Sequence, residues 1–221
     1  MDEPGTTEDG GRLWAVAQHL ARAADAVRGG EGGGRPPSRV PPLLFFTDPQ
    51  RTPRPWEVAA RMPPGSAVVY RHFGAADALD VAVRLRQATR SRGMRLLIGM
   101  DAELADRVEA DGLHLAERAL SAAYSLSGRR PGWILTGAVH SGEAALAALD
   151  LDAVVLSPVF PAGGPSAGKA AIGVETLTRA AGGINRVIAL GGITASNAAS
   201  LAECGACGLA AIGGIVDAFG P

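Results

Sequence analysis

The chain has 221 residues, with 21 Lys plus Arg against 22 Asp plus Glu, and its formal net charge of -1 excludes a nucleic-acid surface built on phosphate neutralisation. Hydrophobic residues make up 47% and charged ones 19%, which excludes disorder of the whole chain and predicts a substantial core. Two cysteines, Cys204 and Cys207, are too few for the disulfide framework of a small secreted protein.

Taken in chain order, the start Met1-Asp2-Glu3-Pro4 lacks the basic residues and apolar run of a signal peptide. Charged residues interrupt every apolar region before it reaches the roughly 18 residues of a membrane span. A cytoplasmic protein with reduced thiols is therefore expected. From Arg12 to Arg28, Leu13, Val16, Ala17, Leu20, Ala24 and Val27 recur at helical spacing, which predicts an amphipathic helix over 12–28. The run from Gly29 to Pro37 reads as a flexible linker. A dinucleotide-binding fingerprint would follow a buried strand and open a helix, whereas these glycines follow a helix and enter prolines. Residues 1–40 are thus expected to be an extension, a helix on a tether, ahead of a domain at 41–221.

Beyond the extension, short non-alternating apolar runs occur at Leu43–Phe46, Ala67–Tyr70, Arg95–Ile98, Gly112–Leu115, Trp133–Val139, Ala153–Leu156, Arg186–Leu190 and Gly208–Ile212. Amphipathic stretches at 55–62, 76–92, 102–109, 117–127, 141–149, 174–181, 194–203 and from 215 separate them. Strands that are apolar on both faces and alternate with helices indicate a parallel sheet covered by helices. Repeated eight times, the unit predicts an α/β fold, a compact (β/α)8 TIM barrel with an N-terminal helical extension. An open doubly wound sheet is the rival, but it needs no eighth strand. At about 180 residues against the usual ~250, the barrel must have short helices and loops.

Chemistry in such a barrel lies where strands end. Gly191-Gly192 and Gly213-Gly214 follow strands seven and eight, where bare backbone can approach an anion. They are candidate phosphate-binding residues, with Thr194 and Asn197 expected to cap and line the helix after strand seven. The segment Gly163 to Lys169 satisfies G-x-x-x-x-G-K but continues with Ala170, so the hydroxyl that would hold Mg2+ in a nucleotide P-loop is absent. A loop after strand six is the better reading, in which Lys169 either closes over a phosphate or is a solvated lysine. Cys204-Gly205-Ala206-Cys207 ends a helical stretch instead of opening one, which predicts packing over zinc or thiol redox chemistry.

Five segments, Leu44-Phe45-Phe46-Thr47-Asp48-Pro49, Ala110-Asp111-Gly112-Leu113-His114-Leu115, Val139-His140-Ser141, Ser157-Pro158-Val159-Phe160-Pro161 and Val187-Ile188-Ala189-Leu190-Gly191-Gly192-Ile193, stand in an order and spacing that resemble the thiamine phosphate synthase/TenI superfamily. The likeness covers about residues 43–216. It implies a role in thiamine biosynthesis, with small phosphorylated thiazole and pyrimidine substrates and no nucleic-acid or membrane partner. A homo-oligomer is left open. The synthase branch joins hydroxymethylpyrimidine diphosphate to thiazole phosphate and releases diphosphate, whose charge is met by cations and by Mg2+ on carboxylates.

Against that pattern, Val69-Tyr70-Arg71-His72-Phe73 retains only Arg71 of a Gln-x-Arg-x-Lys arrangement. Gly99-Met100-Asp101 replaces Asn-Asp-Arg, which leaves Asp101, one position late, as the candidate metal ligand. Ala116-Glu117-Arg118-Ala119 retains Glu117 as its carboxylate, so two expected Mg2+ ligands are missing. The TenI branch instead aromatises a thiazole carboxylate phosphate by moving a proton, without a metal. His140 is the candidate base for that step. Thus the resemblance implies His140, Arg71 and Lys169 as catalytic candidates, and Thr47, Tyr70, His72, His114, Glu117 and Ser157, with the four glycines, as substrate-binding ones. His114 is expected to be structural as well, bonded to a neighbouring loop. A catalytically degenerate barrel that binds a phosphorylated ligand is the alternative from another class.

Overall fold

The computed structural model describes residues 7–29, 38–164 and 167–221. The expected linker beyond Gly29 falls outside the described residues. Eight strands, β1 Leu43–Phe46, β2 Ala67–Tyr70, β3 Arg95–Gly99, β4 Gly112–Leu115, β5 Ile134–Val139, β6 Ala153–Leu156, β7 Val187–Leu190 and β8 Gly208–Ala211, pair in sequence order into a closed barrel. All neighbours run parallel, and β1 pairs with β8 to complete the ring.

The unbroken apolar runs are explained by burial on both faces. Leu44, Phe46, Val69, Leu97, Val155 and Ile188 fill the lumen, while their chain neighbours Phe45, Val68, Ile98, Val154 and Val187 face the helices. The helices are α1 Glu8–Gly29, α2 Pro55–Ala59, α3 Ala78–Ser91, α4 Ala102–Arg107, α5 Ala123–Arg129, α6 Gly142–Ala147, α7 Gly173–Ala181 and α8 Gly213–Phe219. Among the described residues no helix is long and apolar enough to cross a membrane.

Two expected helices are altered. The stretch at 117–127 opens as a 3-10 turn, Glu117–Ala122, before α5, and the stretch at 194–203 keeps only a 3-10 turn, Ala198–Leu201. In the second case Asn197 does not extend a helix; its Oδ1 accepts the Thr194 N–H at 2.9 Å and its Nδ2 donates to the Gly192 carbonyl at 2.8 Å. Such side-chain bonds offer the backbone an alternative to the helical ladder.

Helix α1 covers the flank that this shortening leaves. It packs against the 3-10 turn Ala198–Leu201, β8, β1 and α8. Leu13, Ala17 and Leu20 are fully buried there. Thr7 Oγ1 donates to the Ala218 carbonyl at 2.5 Å, and Arg186 pairs with Asp25 at 3.3 Å. Ala24 joins Val40 and Cys207 in the lumen cluster, whereas Cys204 belongs to the outer one. Both cysteines are buried, and burial pushes the Cys204 pKa up.

Candidate active site

Arg71 leaves β2 into the barrel mouth and is held from β1. Its backbone N–H donates to Thr47 Oγ1 at 3.0 Å and its Nε to the Thr47 carbonyl at 2.9 Å. The guanidinium carbon lies 5.4 Å from the centroids of both Phe46 and Phe73. Held at one nitrogen and between two rings, the group has little freedom, yet its Nη2 is buried with no hydrogen-bond partner. Burial lowers the Arg71 pKa from its ordinary value, with Asp48 opposing that shift and the cation of Arg51 adding to it. An orphaned cationic donor of this kind is what an anion would satisfy.

Beside it, His72 accepts the Gly74 N–H at Nδ1, 3.1 Å, which leaves Nε2 to donate toward Asp101 Oδ2 at 3.3 Å. Asp101 is the N-cap of α4, its Oδ1 accepting the Leu104 N–H at 2.8 Å. Met100 sits at φ 65°, and its sulfur accepts the Ala116 N–H at 3.1 Å, tying the β3 end to the β4 end. Glu117 is exposed at the start of its 3-10 turn.

Across the mouth, His140 at the end of β5 turns Nδ1 to the Ser157 carbonyl at 3.0 Å, with Ser157 Oγ at 3.4 Å. A carbonyl only accepts, so the proton sits on Nδ1 and the Nε2 lone pair is free to act as a base. The exposed imidazole is thus oriented by β6.

His114 and Tyr70 lie below or outside this mouth. The loop contact expected for His114 is not found among the described residues; its Nδ1 meets Thr136 Oγ1 of β5 at 2.9 Å, inside the barrel, and Phe46 packs edge-on at 4.9 Å. Burial, then the charge of Arg71, pushes the His114 pKa down to about 3, so the ring is neutral. Tyr70 belongs to the cluster that faces the helices, and burial, then Asp77, raises its pKa to about 12.

The four strand-end glycines have different reasons to be glycine. Gly191 and Gly192 have φ of 102° and 65°, and side chains there would strike Pro158 and the Pro161 carbonyl at 2.6 and 2.4 Å. A Cβ at Gly214 would meet the Ile193 carbonyl at 2.2 Å. These three let the loops after β6, β7 and β8 close on one another. Gly213 differs, because its Cβ would lie 2.7 Å from Arg51 Nη2. Arg51 was not among the sequence candidates, although it follows β1 in Thr47-Asp48-Pro49-Gln50-Arg51 and so lies on a mouth loop. Lys169 is exposed on the loop after β6, whose residues 165 and 166 fall outside the described residues.

Comparison with known proteins agrees with this architecture. A family model described as thiamine monophosphate synthase matches residues 43–215. The chain belongs to the thiamine monophosphate synthase family. A thiamine-phosphate synthase from Geobacillus kaustophilus is 33% identical over 153 residues, 66% of this chain and 67% of the relative. One from Methanoculleus marisnigri is 35% identical over 147 residues, 63% and 68% of the two chains. In structure, a thiamine phosphate pyrophosphorylase from Pyrococcus furiosus superposes with a TM-score of 0.65 at 24% identity, covering 81% of this chain and 92% of its own, a likeness of fold.

For a family member, the donor set offered to Mg2+ is poor. The ion prefers oxygen ligands in near-octahedral array. Among the described residues no three His, Cys, Asp or Glu side chains converge as a metal site. Asp101 has both oxygens engaged, by Leu104 and His72, and Met100 presents sulfur. These residues do not fit a resident Mg2+.

Proposed function

We infer that this barrel is a transferase of thiamine biosynthesis that joins hydroxymethylpyrimidine diphosphate to thiazole phosphate with release of diphosphate. The observation that carries the reading is the buried, unpartnered Nη2 of Arg71 at the mouth of a barrel from this family. As the C–O bond to the diphosphate breaks, the bond electrons leave with the oxygen and negative charge grows there. A guanidinium already fixed by Thr47 meets that charge without reorganising, in a site of low dielectric. Lys169 adds a cation from the β6 loop. His72, oriented by Asp101, lines the same side.

His140 favours a second reading, the TenI-type tautomerisation. With Nδ1 committed to Ser157, its Nε2 can take a proton from one position of a thiazole carboxylate phosphate and return it to another. No metal enters that step.

Purified protein incubated with both synthase substrates, with and without added Mg2+, is expected to yield thiamine phosphate by mass spectrometry. Arg71→Met should lower kcat by roughly a hundredfold or more, the range for losing one preorganised donor. Retained thiazole phosphate binding without thiamine phosphate removes the synthase reading. Isomerisation of the thiazole carboxylate phosphate, followed by NMR and abolished in His140→Ala, would then establish the second.

A further inference from the structure

Arg51 is the side chain at the mouth whose placement nothing above uses. Its backbone is rigidly set: the Arg51 N–H donates to Asp48 Oδ1 at 3.2 Å and to the Asp48 carbonyl at 3.1 Å. Thr52, itself buried, closes the turn by accepting the Asp48 N–H at 2.9 Å and donating to the Asp48 carbonyl at 2.8 Å. From this base the arm crosses to two other strand ends. Its Nη2 lies 2.7 Å from the position of a Gly213 Cβ, after β8, and its Nη1 3.4 Å from that of a Gly164 Cβ, in the loop after β6. No hydrogen bond or ion pair engages the guanidinium among the described residues. Arg54 and Arg61 nearby are engaged, by Glu57 at 3.0 Å and by the Gly220 carbonyl at 2.8 Å.

Charge points the same way. Arg51 and Arg71 are near enough for Arg51 to depress the Arg71 pKa. The carboxylate that also acts on Arg71, Asp48, is buried and already accepts the Gln50 and Arg51 N–H groups. This edge of the mouth therefore carries two guanidinium groups against one carboxylate. The side chain that Gly213 lacks leaves the space in which the Arg51 fork sits.

We propose that Arg51 binds the phosphate ester of the thiazole substrate, holding it bidentately beside the Gly213 end of β8 on which its fork rests, while Arg71 serves the separate diphosphate. The division of labour rests on the synthase reading. It assigns the monophosphate to a side-chain cation from the first loop, in addition to main chain after β7 and β8. A planar fork matches a phosphate dianion at two oxygens.

Calorimetric titration with inorganic phosphate, thiazole phosphate and inorganic diphosphate tests it in the wild type, Arg51→Met, Arg71→Met and, as a control, Arg54→Met. Arg51 is exposed, so its replacement should leave the melting temperature unchanged. Arg51→Met is expected to weaken both monophosphates by roughly ten- to hundredfold while leaving diphosphate binding intact. Arg71→Met should do the reverse, and Arg54→Met neither. The inference is overturned if Arg51→Met binds phosphate like the wild type, if it loses monophosphate and diphosphate alike, or if the wild type binds no phosphate. Thiamine phosphate formation indifferent to Arg51 sinks this inference alone. Arg51-dependent phosphate binding without turnover sinks the synthase reading alone.

Discussion

His114 shows how one side chain couples the lumen to pH. Its ring is neutral in the folded barrel, with a pKa pushed to about 3. In the unfolded chain histidine titrates near ~6.5. Between those values the unfolded state binds the extra proton, so stability rises with pH across the window and falls on acidification. His114→Gln keeps a donor and acceptor for Thr136 and removes the titration. Urea midpoints measured from about pH 7 to pH 4 should therefore decline less steeply in the variant; parallel declines would show that the ring is not held neutral. Thr47, Arg71 and His140 were legible in the sequence because strand ends mark the mouth whatever the details. Tyr70 and His114 were not, since a shift of one residue along a strand exchanges lumen for helix layer and strand boundaries are no sharper than that. Arg51 escaped because a long side chain reaches the ends of other strands from outside its own.

At the scale of elements, the strand runs were legible almost to the residue, because burial on both faces writes the whole strand in apolar letters. Helices after β4 and β7 were not, since periodicity does not register side chains such as Asn197 that bond the backbone locally. The flank left open there explains why the extension is helical and apolar on one side. Leu13 and Leu20 are fully buried in it. Leu13→Ala or Leu20→Ala should each cost about 2–5 kcal/mol, read as a lowered urea midpoint with unchanged slope. A loss below about 0.5 kcal/mol, typical of surface sites, would mean that α1 rides on the barrel without supporting it.

For the whole molecule, the closed ring provides a frame on which eight mouth loops vary. Frame and extension share one core cluster, in which Leu13, Ala17 and Leu20 join strands and α8. Unfolding is accordingly expected to be a single transition. A variant retaining Trp14 of α1 as its only tryptophan should show fluorescence and circular dichroism curves that coincide; an earlier fluorescence transition would reveal separate detachment of α1. The bond from Thr7 to Ala218 joins positions 211 apart. On a ribosome adding about 5–20 residues each second, α1 waits roughly 10–40 s for the strand and helix that shelter it. Throughout that interval its greasy side is open to chaperones and to neighbouring nascent chains, so expression yield, more than equilibrium stability, should be the quantity most sensitive to polar changes along that side.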